Sequence, residues 1–174
     1  EGARRFVFEG RECGGHVGPR GSFVLWETMC ELLLEHIRAG GKAEELHVVF
    51  AGGIHDAVST AAVAALAAPL AEKGVALGVL MGTAYLFTKE AVEGGAIVPK
   101  FQKEALTTEK TVLLETAPGH AIRCINTPYF QVFHQEKQKL KLQGKTNEEI
   151  TQALEWMNIG RLRVASKGLD RVSS

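Results

Sequence analysis

Apolar and polar positions along the first half of the chain fall into blocks that read as strand, turn and helix. Phe6-Val7-Phe8 is a short β-prone run that ends in a glycine-rich segment, residues 10–21. A helix is predicted over about Phe23 to Arg38, where Leu25, Met29, Leu32, Leu33 and Ile37 recur at three- and four-residue spacing and form one apolar stripe. Gly40 and Gly41 end it, as glycine does past a helix C-terminus. A second strand is expected at His47 to Ala51, whose contiguous Val48, Val49 and Phe50 predict burial on both faces, as in a parallel sheet. The turn Gly52-Gly53-Ile54-His55 follows, and Asp56 is placed to N-cap an Ala-rich helix. Pro69 is expected to kink that helix or begin a new turn, and Gly74 to close it. Ala76 to Met81 is a third strand, again apolar on both sides, ending at Gly82-Thr83 before a helix-like stretch with Glu90 and Ala91. Strand, turn and helix repeated in this way predict right-handed parallel crossover units.

The second half reads differently. Phe101 to Glu109 is predicted helical and Thr111 to Leu114 a strand, with loops at Pro118, Gly119 and Pro128. Phe130 to Leu142 is a lysine-rich helix whose charged face is solvated. Thr146-Asn147-Glu148-Glu149 has the form of a capping box, followed by Ile150, Leu154 and Met157 on one face.

Composition narrows the class. The 174 residues can bury a sizeable core, and 45% hydrophobic with 23% charged residues is ordinary globular usage. Lys plus Arg number 20 and Asp plus Glu 20, so net charge gives no reason to expect nucleic acid or an anionic membrane as partner. The longest apolar stretch, Ala61 to Ala71, is interrupted by Pro69 and is too short for a membrane span. Three widely spaced cysteines (Cys13, Cys30 and Cys124) fit free thiols in a reducing compartment such as the cytoplasm. The chain opens on Glu1-Gly2-Ala3-Arg4-Arg5 and enters an apolar run at once, without an initiator Met, and reads as if cut from something longer.

Three glycine-bearing turns carry the candidate chemistry. In Glu9-Gly10-Arg11-Glu12-Cys13-Gly14-Gly15-His16-Val17-Gly18 the paired glycines let the backbone approach a planar ligand closely. His16 is expected at the C-terminal end of a strand, where parallel α/β folds bind ligands, and an imidazole can act there as acid or base. The plainer reading is a tight turn with a hydrogen-bonding histidine. In Ala51-Gly52-Gly53-Ile54, free amides between a buried strand and a helix suit a phosphate, aided by the helix dipole. Met81-Gly82-Thr83 repeats the logic with a hydroxyl added. Each turn alone is weak, since many strand-to-helix junctions use such residues. Together, on consecutive strands, the last two fit one phosphate shared between adjacent strand ends. No metal site is expected: Cys13 and His16 have a C-x-x-H look, but no second pair stands at finger-like spacing. Nor is there a P-loop pattern.

These motifs, in this order, resemble the nitronate monooxygenase (2-nitropropane dioxygenase) family, and most closely its flavin-dependent enoyl-reductase branch from polyunsaturated-fatty-acid and polyketide synthesis. The resemblance covers about Phe6 to Glu90: Glu12-Cys13-Gly14-Gly15-His16-Val17-Gly18, with Cys13 where the family has alanine; Ala51 to Ile54; and Met81 to Thr83, with Tyr85 beyond. It implies an α/β fold that is the C-terminal part of a TIM-type (β/α) barrel. Residues 1–98 would supply its last three strands, and residues 99–174 a mostly helical post-barrel segment. A full barrel takes roughly 250 residues, so either an upstream barrel half or a second copy of the chain is the expected structural partner.

It further implies FMN, with phosphate on Gly52, Gly53, Gly82 and Thr83, Gly14 and Gly15 against the flavin or its ribityl chain, and His16 as the catalytic residue. The expected reaction is reduction of an enoyl thioester, on a small or carrier-bound acyl substrate and with NAD(P)H as a possible reductant. Nitronate oxidation is the alternative within the same class. A non-catalytic docking module, a barrel remnant, is the alternative outside it. His55, Asp56, His120 and Glu12 carry less weight: His55 as a cap or phosphate neighbour, Asp56 as the N-cap, His120 in a loop, and Glu12 as orienting or capping its turn.

Overall fold

The three apolar runs of the first half form one parallel sheet because their alternate side chains fall into register. In the computed structural model, which describes residues 2–169, β1 (Arg5–Glu9), β3 (His47–Ala51) and β4 (Ala76–Leu80) lie side by side in the order β1-β3-β4. Phe6 pairs with Val48 and Val48 with Leu77; Phe8 pairs with Phe50 and Phe50 with Val79. These two rows enter a single core with helices α1 (Ser22–Arg38) and α2 (Ala57–Glu72). A short strand, β2 (Gly15–Val17), lies inside the glycine-rich segment.

Trp26 sits at the centre of that core, 2% exposed, with its ring edge-on to Phe50 at 5.9 Å and its indole N–H donating to the Phe8 carbonyl at 3.1 Å. Burying an aromatic of this kind contributes about 1.5–3 kcal/mol. The surface pair Arg4–Glu45 is solvated on both sides and adds little. Apolar rows, not ion pairs, therefore hold the sheet to its helices.

The opposite side of the sheet is less covered. Val7, between the two phenylalanines, is 59% exposed, and Leu80 at the end of β4 is 49% exposed. Burial on both faces was the expectation for β3 and β4. In the helix-facing rows Phe8, Val48 and Phe50 are buried while Phe6, Leu77 and Val79 are partly so, and on the other face Val49 and Gly78 are intermediate.

Two other expectations change. The buried stripe of α1 is Trp26, Cys30, Leu33 and Leu34; Leu25, Met29 and Ile37 flank the core and Leu32 is exposed. Pro69 does not interrupt α2, which runs on to Glu72. It lies in the last turn, close to where the helix ends in any case.

The chain divides into two compact units after Thr83, whereas the family resemblance implies a boundary at residue 98. A short 3-10 turn (Thr83–Phe87) leads into the second. That unit holds α3 (Lys89–Glu93), α4 (Pro99–Thr107), the antiparallel hairpin β5 (Thr111–Ala117) and β6 (His120–Ile125), and the helices α5 (Pro128–Leu142), α6 (Asn147–Asn158) and α7 (Leu162–Lys167). Its core gathers Leu114, Phe133, Ile150 and Leu154. Arg161 stacks over Tyr129 at 3.7 Å, and the Tyr129 hydroxyl donates to the Met157 carbonyl at 2.7 Å.

The capping box forms as predicted. The Thr146 hydroxyl accepts from the Glu149 amide, and the Glu149 carboxylate accepts from the Thr146 amide at 2.9 Å. Hydrogen bonding from Lys145, then from Thr146, pulls the Glu149 carboxyl down to about 2. A lowered carboxyl stabilises the fold above the ordinary carboxylate range, and the contribution is lost as pH falls through the lowered value. Thr146→Ala is expected to lower unfolding free energy by about 1 kcal/mol in urea titrations. Glu149→Gln should flatten the fall in stability between about pH 4.5 and pH 2, read from melting temperatures across that window.

Candidate functional site

Strand register puts all three glycine turns at one end of the sheet. The last partners of the ladder are Glu9 with Ala51 and Ala51 with Leu80, so the turns at 10–18, 52–55 and 81–83 leave neighbouring parallel strands together. The Gly10 amide adds a bond to the Ala51 carbonyl at 2.9 Å.

Close approaches tie the turns to one another. A Cβ on Gly14 would lie 3.2 Å from the Thr83 hydroxyl oxygen, and one on Gly53 3.3 Å from Cβ of Glu12. The first turn thus touches both of the others. Gly52 and Gly53 have φ of 129° and 76°, where L side chains are strained. Gly52 is excluded from change a second time, because a Cβ there would run into the Ser22 hydroxyl. Gly53, Gly82, Thr83, Gly14 and Gly15 are exposed. Among the described residues, the amides of Gly53, Gly82 and Thr83 donate no hydrogen bond in a turn or cap. The three turns thus meet at one end of the sheet, with the Thr83 hydroxyl beside Gly14 and the Glu12 stem beside Gly53.

His16 departs from its expected place. It stands in β2, well past the end of β1, rather than at the tip of a long strand, because the glycine-rich segment after Glu9 turns before it extends again. Its side chain is exposed.

The helix dipole after the second turn is already committed. The Asp56 carboxylate accepts from the Ser59 amide at 2.8 Å and caps α2, and its own ionised form is favoured first by the Ser59 hydroxyl and then by that amide. An external anion would therefore meet the amides of Gly52 and Gly53, not the first turn of α2. His55 folds back on the same turn: its Nδ1 lies 2.9 Å from the Gly53 carbonyl and its Nε2 3.7 Å from Asp56.

The thiols differ. Burial, then Glu31, pushes Cys30 up to about 11, and burial raises Cys124; both are poor thiolates. Cys13 is partly buried beside the glycines. His120 begins β6 in the second unit.

The family model described as nitronate monooxygenase matches residues 1–163. The chain belongs to the nitronate monooxygenase family. No curated protein and no solved structure matches it. Nitronate monooxygenase family members are flavin-dependent oxidoreductases, and at that level the class of this chain is fixed. Among the described residues no helix is long and apolar enough to cross a membrane.

Sequence reasoning missed how the site is held. Ser22, 3% exposed, fills the space left by Gly10 and Gly52 and meets the Glu12 carboxylate. The signal was a small residue opening α1 directly after a glycine-rich turn.

Gly52→Ala is expected to lower stability by roughly 1–3 kcal/mol, from backbone strain and the clash with Ser22. Gly82→Ala meets open space and should leave the urea midpoint unchanged. A Gly82→Ala midpoint as low as that of Gly52→Ala would show that the third turn is built differently.

Proposed function

We propose that the three turns form the FMN site of a nitronate-oxidising flavoprotein within a TIM-type barrel framework. Gly52, Gly53, Gly82 and Thr83 receive the phosphate, Gly14 and Gly15 lie against the flavin or its ribityl chain, and His16 is the catalytic acid–base. The observation that carries this reading is the convergence of the turns. Two neighbouring parallel strands end in glycine-bearing turns, and the glycine turn bearing the imidazole approaches both.

The fit is chemical as well as spatial. Backbone amides directed at a dianion are preorganised donors, and glycine lets the ligand reach them. The Thr83 hydroxyl adds a donor at the third turn. Flavin, when bound, supplies the two-electron chemistry. The chain supplies orientation and the proton: toward a nitroalkane the neutral imidazole of His16 takes the proton from the carbon bearing the nitro group, and toward a nitronate its protonated form pairs with the anion. Nitronate oxidation is preferred because the family match carries that name. Enoyl-thioester reduction, in which the same imidazole would hold the proton destined for the α-carbon, rests on the motifs alone.

Three outcomes separate the readings. Oxygen uptake on adding an alkyl nitronate is expected. Stoichiometric NAD(P)H oxidation on adding an enoyl thioester, with no oxygen uptake from nitronate, would replace this reaction with reduction. Protein that takes up no FMN, judged by flavin absorbance after desalting, would be a docking module instead. His16→Ala should lower turnover by about 100-fold or more while flavin absorbance is retained; unchanged turnover removes His16 from the chemistry.

A further inference from the structure

We propose that Glu12 is the positioning residue of this site, a clasp that fixes the turn bearing Gly14, Gly15 and His16 to the start of α1. The Ser22 amide donates to the Glu12 carboxylate at 2.7 Å, and the Ser22 hydroxyl donates to the same oxygen. Helix α1 begins after Gly21, which offers no capping side chain. Glu12 therefore does a cap's work from ten residues upstream, and a carboxylate at a helix N-terminus is favoured by the dipole as well.

The geometry makes this more than a cap. Ser22 is wedged where any side chain on Gly10 or Gly52 would stand, and the stem of Glu12 lies against Gly53. One carboxylate thus joins the first turn, the helix behind it and the second turn. Other bonds in the segment close it on itself: the Arg11 amide to the Arg20 carbonyl at 2.9 Å, the Arg11 guanidinium to the Gly18 carbonyl at 3.2 Å, and the Cys13 amide to the Gly10 carbonyl at 3.1 Å. The Glu12–Ser22 bonds fasten that closed turn to the start of α1. Its consequence for ligand binding rests on the flavin reading above; the clasp itself does not.

The test uses Glu12→Ala, Glu12→Gln and Ser22→Ala in the full chain, with two readouts. The first is the native-state trypsin cleavage rate at Arg20–Gly21 without ligand, which reports opening of the turn. The second is the FMN dissociation constant from quenching of flavin fluorescence. Glu12→Ala should be cleaved several-fold faster and bind FMN about tenfold more weakly, as expected for losing charge-assisted bonds. Glu12→Gln keeps an oxygen that can accept from both donors and should return both readouts to within about twofold of wild type. Ser22→Ala keeps the backbone donor and should fall between.

Wild-type cleavage in Glu12→Ala, or no recovery in Glu12→Gln, overturns the clasp. Faster cleavage with unchanged FMN affinity overturns its positioning role. If Glu12→Ala does not fold, wild-type cleavage of Ser22→Ala overturns the proposal. A wild-type protein that binds no FMN would defeat the flavin reading, and the cleavage comparison would still decide the clasp.

Discussion

The parallel register of β1, β3 and β4 is the constraint on which the site depends. It aligns two apolar rows so that α1 and α2 can cover them around Trp26, and by the same alignment it brings three strand ends level. Because side chains alternate across a strand, a one-residue slip would turn Phe8, Phe50 or Val79 out of the core. The packing that stabilises the sheet therefore also holds the turns in place. No separate device is needed to bring Gly52 and Gly82 to neighbouring strand ends.

Electrostatics divides the labour at the second turn. Asp56 and Ser59 satisfy the start of α2, and the Asp56 carboxylate occupies that helix end. What the turns offer is a set of neutral dipoles, held by glycine geometry. Such donors need little reordering when a ligand arrives, because their directions are fixed by the backbone. His55, bonded to the Gly53 carbonyl, braces the same turn from outside.

Much of the first unit was legible because its strands are short, contiguous and apolar and its turns contain the residues that such turns require. His47–Ala51 was placed to the residue, and the Asp56 and Thr146 caps were found from side-chain chemistry alone. The helix stripe in α1 was misjudged by one position because Leu25 and Leu32 are as apolar as Trp26 and Leu33, and periodicity does not say which flank faces the sheet. Strand β6 was missed although Pro118-Gly119 stands between two β-prone runs. Pro followed by Gly at φ 79° is a tight-turn signature, and here it closes the hairpin of β5 and β6. The Glu12–Ser22 contact was hidden for a different reason: a cap supplied from far upstream leaves no local pattern at the helix start.

The junction of Gly10, Ser22 and Gly52 has a consequence for how this sequence can drift. Volume there is shared: a methyl group at either glycine needs the space the serine side chain occupies. The three positions should therefore be constrained as a linked set among homologous chains. Larger residues at 22 would be closed to evolution, and position 10 would stay glycine even without a side chain at 22, because a Cβ there would still run into the Cα of residue 22.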